Sequence, residues 1–384
     1  MLADNGTVRN IHYGDILIKY GEFVNTAVDS IPYIKDDSYC PPYKNILKCG
    51  DVVFTDAAED NTVGKCCEII SSENDLLVAG LHTIPVRPNC IFNEKFLGYY
   101  LNSDAFHDQL IPYIQGTKVS SISRKALNSS FVKFPPSAKE QKNISNFLSS
   151  ILKNISNTQA EISRLRQVKA ASLQAMFPQE SETVPRLRFK GFIDQWKKCT
   201  IGDVATFSKG QGYSKADIKD SGTPIILYGS MYTNYSTVIE SIGTYADIKN
   251  GSVISKGDEI LIPASGETPE DIAIASHLAI SGVIIGGDLN IINVDKSFLS
   301  PTILCLAITY TDTHRELSSL SQGKSVVHLH NGDIAMAHIS FPSLGEQRKI
   351  ADFFQNLDRQ ISLTEAKLEK LKQIKSACLN LMFV

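Results

Sequence analysis

Nowhere in its 384 residues does the chain carry an apolar run long enough to cross a bilayer. Its N-terminus also lacks the charged-then-apolar layout of a secretory signal. A helical membrane protein is thereby excluded and a cytoplasmic one expected. No Cys-x-x-Cys pair occurs among the eight cysteines, Cys40, Cys49, Cys66, Cys67, Cys90, Cys199, Cys305 and Cys378. The adjacent Cys66 and Cys67 are badly spaced for zinc, so free buried thiols are the expectation. His328 and His330 form an isolated His-x-His with no obvious third or fourth ligand, which points to a strand edge and not to a metal. An excess of positive charge is missing too: the net charge is −3.

What the chain does have is a two-fold internal repeat, and a length beyond that at which one hydrophobic core usually stops growing. Residues 139–177 read KEQKNISNFLSSILKNISNTQAEISRLRQVKAASLQAMF, and residues 345–383 read GEQRKIADFFQNLDRQISLTEAKLEKLKQIKSACLNLMF. They align without a gap at 15 identities in 39 positions. Each follows a Phe-Pro pair, Phe134-Pro135 or Phe341-Pro342.

Both segments place apolar residues at alternating steps of four and three. The first offers Ile144, Leu148, Ile151, Ile155, Ile162 and Leu165; the second offers Ile350, Phe354, Leu357, Ile361, Leu368 and Leu371. Thr158 and Thr364 fill the same gap in each. A sustained step of 3.5 is a coiled-coil signature. Each helix should be roughly 60 Å long at 1.5 Å per residue. Two independent amphipathic helices would give the same composition, but the matching registers favour packing of one on the other.

The repeat extends upstream. Gln115-Gly116 matches Gln322-Gly323, Gly50-Asp51 matches Gly257-Asp258, and Ile11-His12-Tyr13-Gly14 matches Ile226-Leu227-Tyr228-Gly229. Short apolar runs at 225–227, 259–262 and 283–285 lie between Gly, Pro, Asn and Asp clusters, as strands between turns do. The expected fold is α+β: two β-rich mixed domains, at 1–135 and 179–342, joined by two long antiparallel coiled-coil helices, at 136–178 and 343–384, with an internal pseudo-two-fold repeat. The junction 178–198 begins polar, then carries Leu187, Phe189, Phe192 and Trp196 as a lead-in to the second domain. By the alignment, a matching lead-in to the first domain would fall about 30 residues before Met1, so the first domain is expected to be shortened.

The order domain, long helix, domain, long helix resembles the specificity subunit of Type I restriction–modification systems. The residues that carry the resemblance are VPRLRFKGFIDQWKKCTIGDV at 184–204 and LIPASGETPEDI at 261–272. The helix starts Glu140-Gln141 and Glu346-Gln347 and the Leu-x-x-Met-Phe endings at 173–177 and 379–383 complete the set. The resemblance covers essentially the whole chain. It departs at Leu152, where the family usually has an acidic residue; Asp358 fits. It implies a non-catalytic subunit that binds double-stranded DNA, two modification subunits and two restriction subunits. S-adenosylmethionine, ATP and Mg²⁺ would belong to those partners and no cofactor to this chain.

Two similar but non-identical readers at the ends of a helical rod imply a bipartite, asymmetric target. A rod of this length would hold them about one to one and a half DNA turns apart, a turn being about 34–36 Å. Base reading needs hydrogen-bonding side chains on loops, and phosphate contact needs cations and exposed amides. In the first domain the candidates are Gln115, Gly116, Thr117, Lys118, Ser120, Ser121, Ser123, Arg124 and Lys125. In the second they are Gln322, Lys324, Ser325, His328 and His330; a further strip holds Lys209, Gln211, Tyr213, Ser214 and Lys215; and a fourth holds Tyr232, Asn234 and Tyr235. Polar solvated loops would look the same one at a time.

Charge limits this reading. Residues 1–135 carry 12 basic and 16 acidic side chains, and residues 198–343 carry 9 and 15. Phosphate neutralisation supplies most non-specific affinity, so the domains alone should hold DNA weakly. Two rivals remain. A DNA methyltransferase would need a Pro-Pro-Tyr motif headed by Asp, Asn or Ser, but here Cys40 heads Pro41-Pro42-Tyr43 and cannot offer a side-chain carbonyl. Phe207 also stands one residue too far from Gly210-x-Gly212 for a cofactor loop. The other rival is a coiled-coil scaffold that does not read DNA.

Overall fold

The computed structural model describes residues 2–35, 42, 45–71, 76–179, 182–233, 235–323 and 325–383. The chain forms two compact units, Met1–Ala160 with Glu365–Val384, and Glu161–Thr364. The division cuts through both long helices, Ala138–Met176 and Leu344–Met382, so each unit holds one β-rich domain with a piece of each helix.

The first unit contains two four-stranded sheets. One runs Phe23–Asn25, Cys66–Ser71, Val52–Thr55, Thr83–Val86; the other runs Leu2–Ala3, Tyr33–Ile34, Val8–Ile11, Leu76–Ala79. Val52 to Thr55 are all buried. A strand covered on both faces loses its polar alternation, which is why this stretch reads as a continuous apolar run.

The second unit repeats the plan at greater length. A five-stranded sheet runs Ala205–Lys209, Leu289–Val294, Glu259–Pro263, Ser276–Leu278, Val238–Ile239. A four-stranded sheet runs Tyr245–Ala246, Thr223–Ile226, Ser281–Ile285, Ile254–Lys256. The expected runs at 259–262 and 283–285 fall on its strands, and the run at 225–227 does so up to Ile226.

One short helix in each unit is buried on every side: Phe96–Leu101 in the first and, in the second, Pro301–Tyr310 up to Ile308. All-round apolarity demands an all-round core. Each such helix is tied to the start of a long helix by the repeated glutamine. Gln141, almost fully buried, donates to the Pro135 carbonyl at 2.9 Å and accepts from the Asn93 amide at 2.9 Å. Gln347 donates to the Pro342 and Phe298 carbonyls, both at 2.8 Å, and accepts from the Ser300 amide at 2.8 Å. A buried primary amide satisfied on both its donor and acceptor sides is costly to replace.

Along the long helices, Ile144, Leu148, Ile151, Ile155, Ile162, Ile350, Phe354, Leu357 and Leu368 are buried, and Leu165, Ile361 and Leu371 are half-buried. In the first unit Ile144 and Leu148 share a core with Phe383, and Leu152, Cys378 and Leu379 pack against it. In the second, Leu173, Met176 and Phe177 share one with Ile350, Phe354 and Leu357. Lys169 Nζ lies 2.5 Å from Asp358. For Lys375, the matching lysine of the repeat, the position equivalent to Asp358 is Leu152, and it pairs instead with Glu22 at 2.5 Å.

Two expectations need correcting. Cys66, Cys67 and Cys305 are buried as thiols, but Cys49 and Cys90 are exposed on loops; Cys40 lies outside the described residues. In the lead-in segment Trp196 is buried against Phe177, yet the Leu187 side chain faces solvent and only its amide docks, on the Ala175 carbonyl at 2.8 Å.

Candidate nucleic-acid interface

The two Gln-Gly motifs build the same object. In the first domain Gln115 and Ser121 exchange both backbone hydrogen bonds, at 3.0 and 2.7 Å. In the second, Gln322 and His328 do so at 2.9 and 2.7 Å. The loop between them turns on a glycine with positive φ, +111° at Gly116 and +137° at Gly323. A Cβ on either would stand 1.9 or 2.0 Å from the carbonyl oxygen of Val119 or Val326, so only glycine closes the turn. Each hairpin returns into a two-stranded ladder, Ser120–Ser121 on Ala57–Ala58 and Val327–His328 on Ser265–Gly266. Each then enters a short helix, Arg124–Asn128 or Asn331–Met336, with Ser123 or His330 as its N-cap.

Side chains on these hairpins point outward. Gln115, Thr117, Lys118, Ser121, Ser123, Arg124 and Lys125 are exposed, as are Gln322, Ser325, His328 and His330. Ser120 is half-buried. Lys324 lies outside the described residues. Ser123 spends its hydroxyl on the Ala126 amide, which makes it a cap more than a reader. The imidazoles of His328 and His330 stand parallel, 6.3 Å apart and 2° from coplanar orientation, on one face of the second hairpin. Two parallel exposed rings, with Gln322 beside them in the ladder, offer both flat surface and hydrogen-bonding edges.

The strip 209–215 is held as well as exposed. Lys209, Gln211, Ser214 and Lys215 are exposed. Tyr213 has a φ of +62° and is tied down: its hydroxyl accepts from the Lys249 amide at 2.9 Å and meets Ser252 Oγ at 2.5 Å. Ser214 and Asp217 cap one another's turn, Lys215–Asp217.

The fourth strip is tied to the domain's own backbone. Tyr232 donates its hydroxyl to the Ser265 carbonyl at 2.5 Å, and Tyr235 donates to the Ala275 carbonyl at 3.2 Å. Burial pushes both phenols well above their ordinary range. These half-buried tyrosines spend their hydroxyl protons within the domain. Asn234 lies outside the described residues.

Sequence reasoning missed Asn331, which occupies the place of Arg124 in the hairpin alignment. Its side-chain amide donates to the Ser208 carbonyl at 3.1 Å, tying the second hairpin to the strand Ala205–Lys209. The Gln-Gly register could have located it. Among the described residues no group of three His, Cys, Asp or Glu stands close enough to hold a metal, and no helix is long and apolar enough to cross a membrane.

The family model for the Type I restriction modification DNA specificity domain matches the chain twice, at residues 16–167 and 193–373. A type I restriction enzyme specificity subunit of Methanocaldococcus jannaschii is 22% identical over 368 residues, which is 92% of this chain and 82% of that protein. The StySPI specificity subunit of Salmonella potsdam is 22% identical over 184 residues, 47% of this chain and 40% of that one. The S subunit of a Type-I restriction-modification system from M. genitalium has the same fold, with a TM-score of 0.56 at 13% identity, over 97% of this chain and 91% of that chain. A chain from a study of complex assembly and conformational transition in the type I R-M system gives 0.55 at 16% identity, over 88% and 82%. Matched in both of its halves by one family model, the chain belongs to the Type I restriction modification DNA specificity family.

Proposed function

We propose that this chain reads a bipartite, asymmetric DNA target, one half-site through each recognition domain, 1–135 and 179–342. The carrying observation is the pair of glycine-closed hairpins at Gln115–Ser121 and Gln322–His328, alike in backbone and different in side chains. One fixed frame with variable polar side chains is what base-edge reading requires. Thr117, Lys118 and Ser121 face one half-site; Ser325, His328 and His330 face the other, with the strip 209–215 contributing phosphate contacts through Lys209 and Lys215.

The two long helices pair antiparallel as a coiled coil. Support comes from Phe383 beside Ile144 and Leu148 in one unit, and from Lys169 beside Asp358 in the other. The subunit is cytoplasmic and non-catalytic, recruiting two modification and two restriction subunits. The family and the absence of any complete catalytic motif in the sequence support this.

Exchange of residues 197–341 for the same domain of a relative tests the two-reader model. Methylome sequencing of cells carrying the exchange is expected to show one half of the methylated motif changed and the other half unchanged. A change in both halves together would reject it.

A further inference from the structure

Beyond glutamine and glycine, the two hairpin loops share one residue. They read Gln-Gly-Thr-Lys-Val-Ser-Ser at 115–121 and Gln-Gly-Lys-Ser-Val-Val-His at 322–328, so Val119 and Val326 occupy the same place. The glycine recurs because it closes the turn, and the valine's share in that closure is its carbonyl oxygen, which any residue supplies. Its side chain is 55% exposed at Val119 and 51% at Val326. Among the described residues neither joins the cores that take Ile122 and Val327. Single exposed apolar side chains are ordinary. The same one at the same turn of two domains that differ around it has a different weight.

Burial alternates through the segment that follows. Val119, Ser121 and Ser123 are exposed, while Ser120 is half-buried and Ile122 buried. Val326, His328 and His330 are exposed, while Val327 and Leu329 are buried. A period of two puts each exposed trio on one face. In each domain, therefore, the face that carries the variable polar residues begins with a constant valine. What an isopropyl group can recognise on DNA is narrow. It makes no hydrogen bond, so base edges offer it one partner, the C5-methyl group of thymine in the major groove. The minor groove presents acceptors and one donor but no methyl group. Side chains that part base steps are bulkier wedges such as Phe, Leu, Ile or Met.

We propose, resting on the hairpins as the DNA readers, that Val119 and Val326 each bind the methyl group of a thymine, one in each half-site. The polar residues on the same face read the neighbouring bases. Thymine is then the common element of two half-sites that otherwise differ.

The test uses the full chain assembled with its modification subunits, on the duplex that methylome sequencing identifies, with deoxyuridine replacing each thymine in turn. Deoxyuridine keeps the base pair and removes only the methyl group. In each half-site one replacement is expected to weaken binding by about fourfold, the worth of one buried methyl group. Val326→Ala should weaken binding to the unmodified duplex and remove the deoxyuridine penalty in the half-site that exchange of 197–341 alters, leaving the other penalty in place. Val119→Ala should do the converse, which is the coupling a double-mutant cycle isolates. Both side chains are exposed, and unchanged melting of the complex verifies that the variants fold. No deoxyuridine penalty, or one that persists in both variants, would overturn the proposal, as would a half-site with no thymine on either strand. Equal weakening on target and scrambled duplex would assign the valines to the DNA backbone, and loss of the modification subunits without DNA would assign them to a protein contact; either overturns it. His328→Ala separates this contact from the reading beneath it. If it shifts base preference while Val326→Ala uncouples nothing, the hairpins read DNA and the methyl contact falls. If neither variant changes anything, reading by the hairpins falls as well.

Discussion

Gly116 and Gly323 hold positions that no other residue fits, and the reason is local. Their φ values lie in the region that side chains disfavour, and an added methyl would overlap a carbonyl oxygen of the same loop. Backbone strain of this kind costs roughly 1–3 kcal/mol. The hairpins sit at the surface, so the loop should distort before the domain unfolds. Gly323→Ala is therefore expected to leave thermal melting nearly unchanged and to degrade methylation of targets through one half-site. Gly116→Ala should do the same through the other. Melting curves beside methylation assays on DNA carrying single-half-site changes would read this out. A large drop in melting temperature with target preference intact would show that the glycines serve stability alone.

At the scale of the element, the long helices were legible because their apolar step of 3.5 repeats for about six turns. The stripe from Ile144 to Leu371 comes out buried or half-buried throughout. The strands at 259–262 and 283–285 were legible for a related reason: a doubly covered strand is a short apolar run between turn residues. The hairpins were visible only as a repeated Gln-Gly, since sequence carries no record of which loop residues adopt positive φ. Tyr232 and Tyr235 are ambiguous in sequence for the opposite reason. An aromatic with a polar tip suits a groove and a core equally, and only the carbonyls of Ser265 and Ala275 reveal the core. The helix stripe supports a direct prediction. Ile155 is buried in the first unit, so Ile155→Asp places an unpaired carboxylate among apolar side chains, a change costing several kcal/mol. Urea titration followed by circular dichroism should show a clear loss of stability for Ile155→Asp and almost none for the exposed neighbour Asn154→Asp. Equal effects at the two positions would remove the helix face from the core.

For the whole molecule, charge decides what the chain can do unaided. Its net charge is −3, and each recognition domain carries more acidic than basic side chains. Several lysines are also engaged internally: Lys219 with Asp247, Lys249 with Asp217 and Lys296 with Asp258. DNA affinity rises with the number of phosphates neutralised, and so does its salt dependence, by a slope of about −0.9 per phosphate on logarithmic axes. A reader with few free cations should then bind DNA weakly alone, with a shallow slope. Modification subunits that grip the duplex would add both affinity and slope, while the hairpins supply the preference for one sequence over another. Titrations of labelled target and scrambled duplex at several salt concentrations, with and without the modification subunits, test this division. The expected outcome is a small slope and weak binding for the chain alone, and a steep slope with a large target-to-scrambled ratio for the complex. If the isolated chain bound both duplexes tightly and with a steep slope, the phosphate contacts would have to lie within its own surface, and the acidic balance of the two domains would be masking a local basic track.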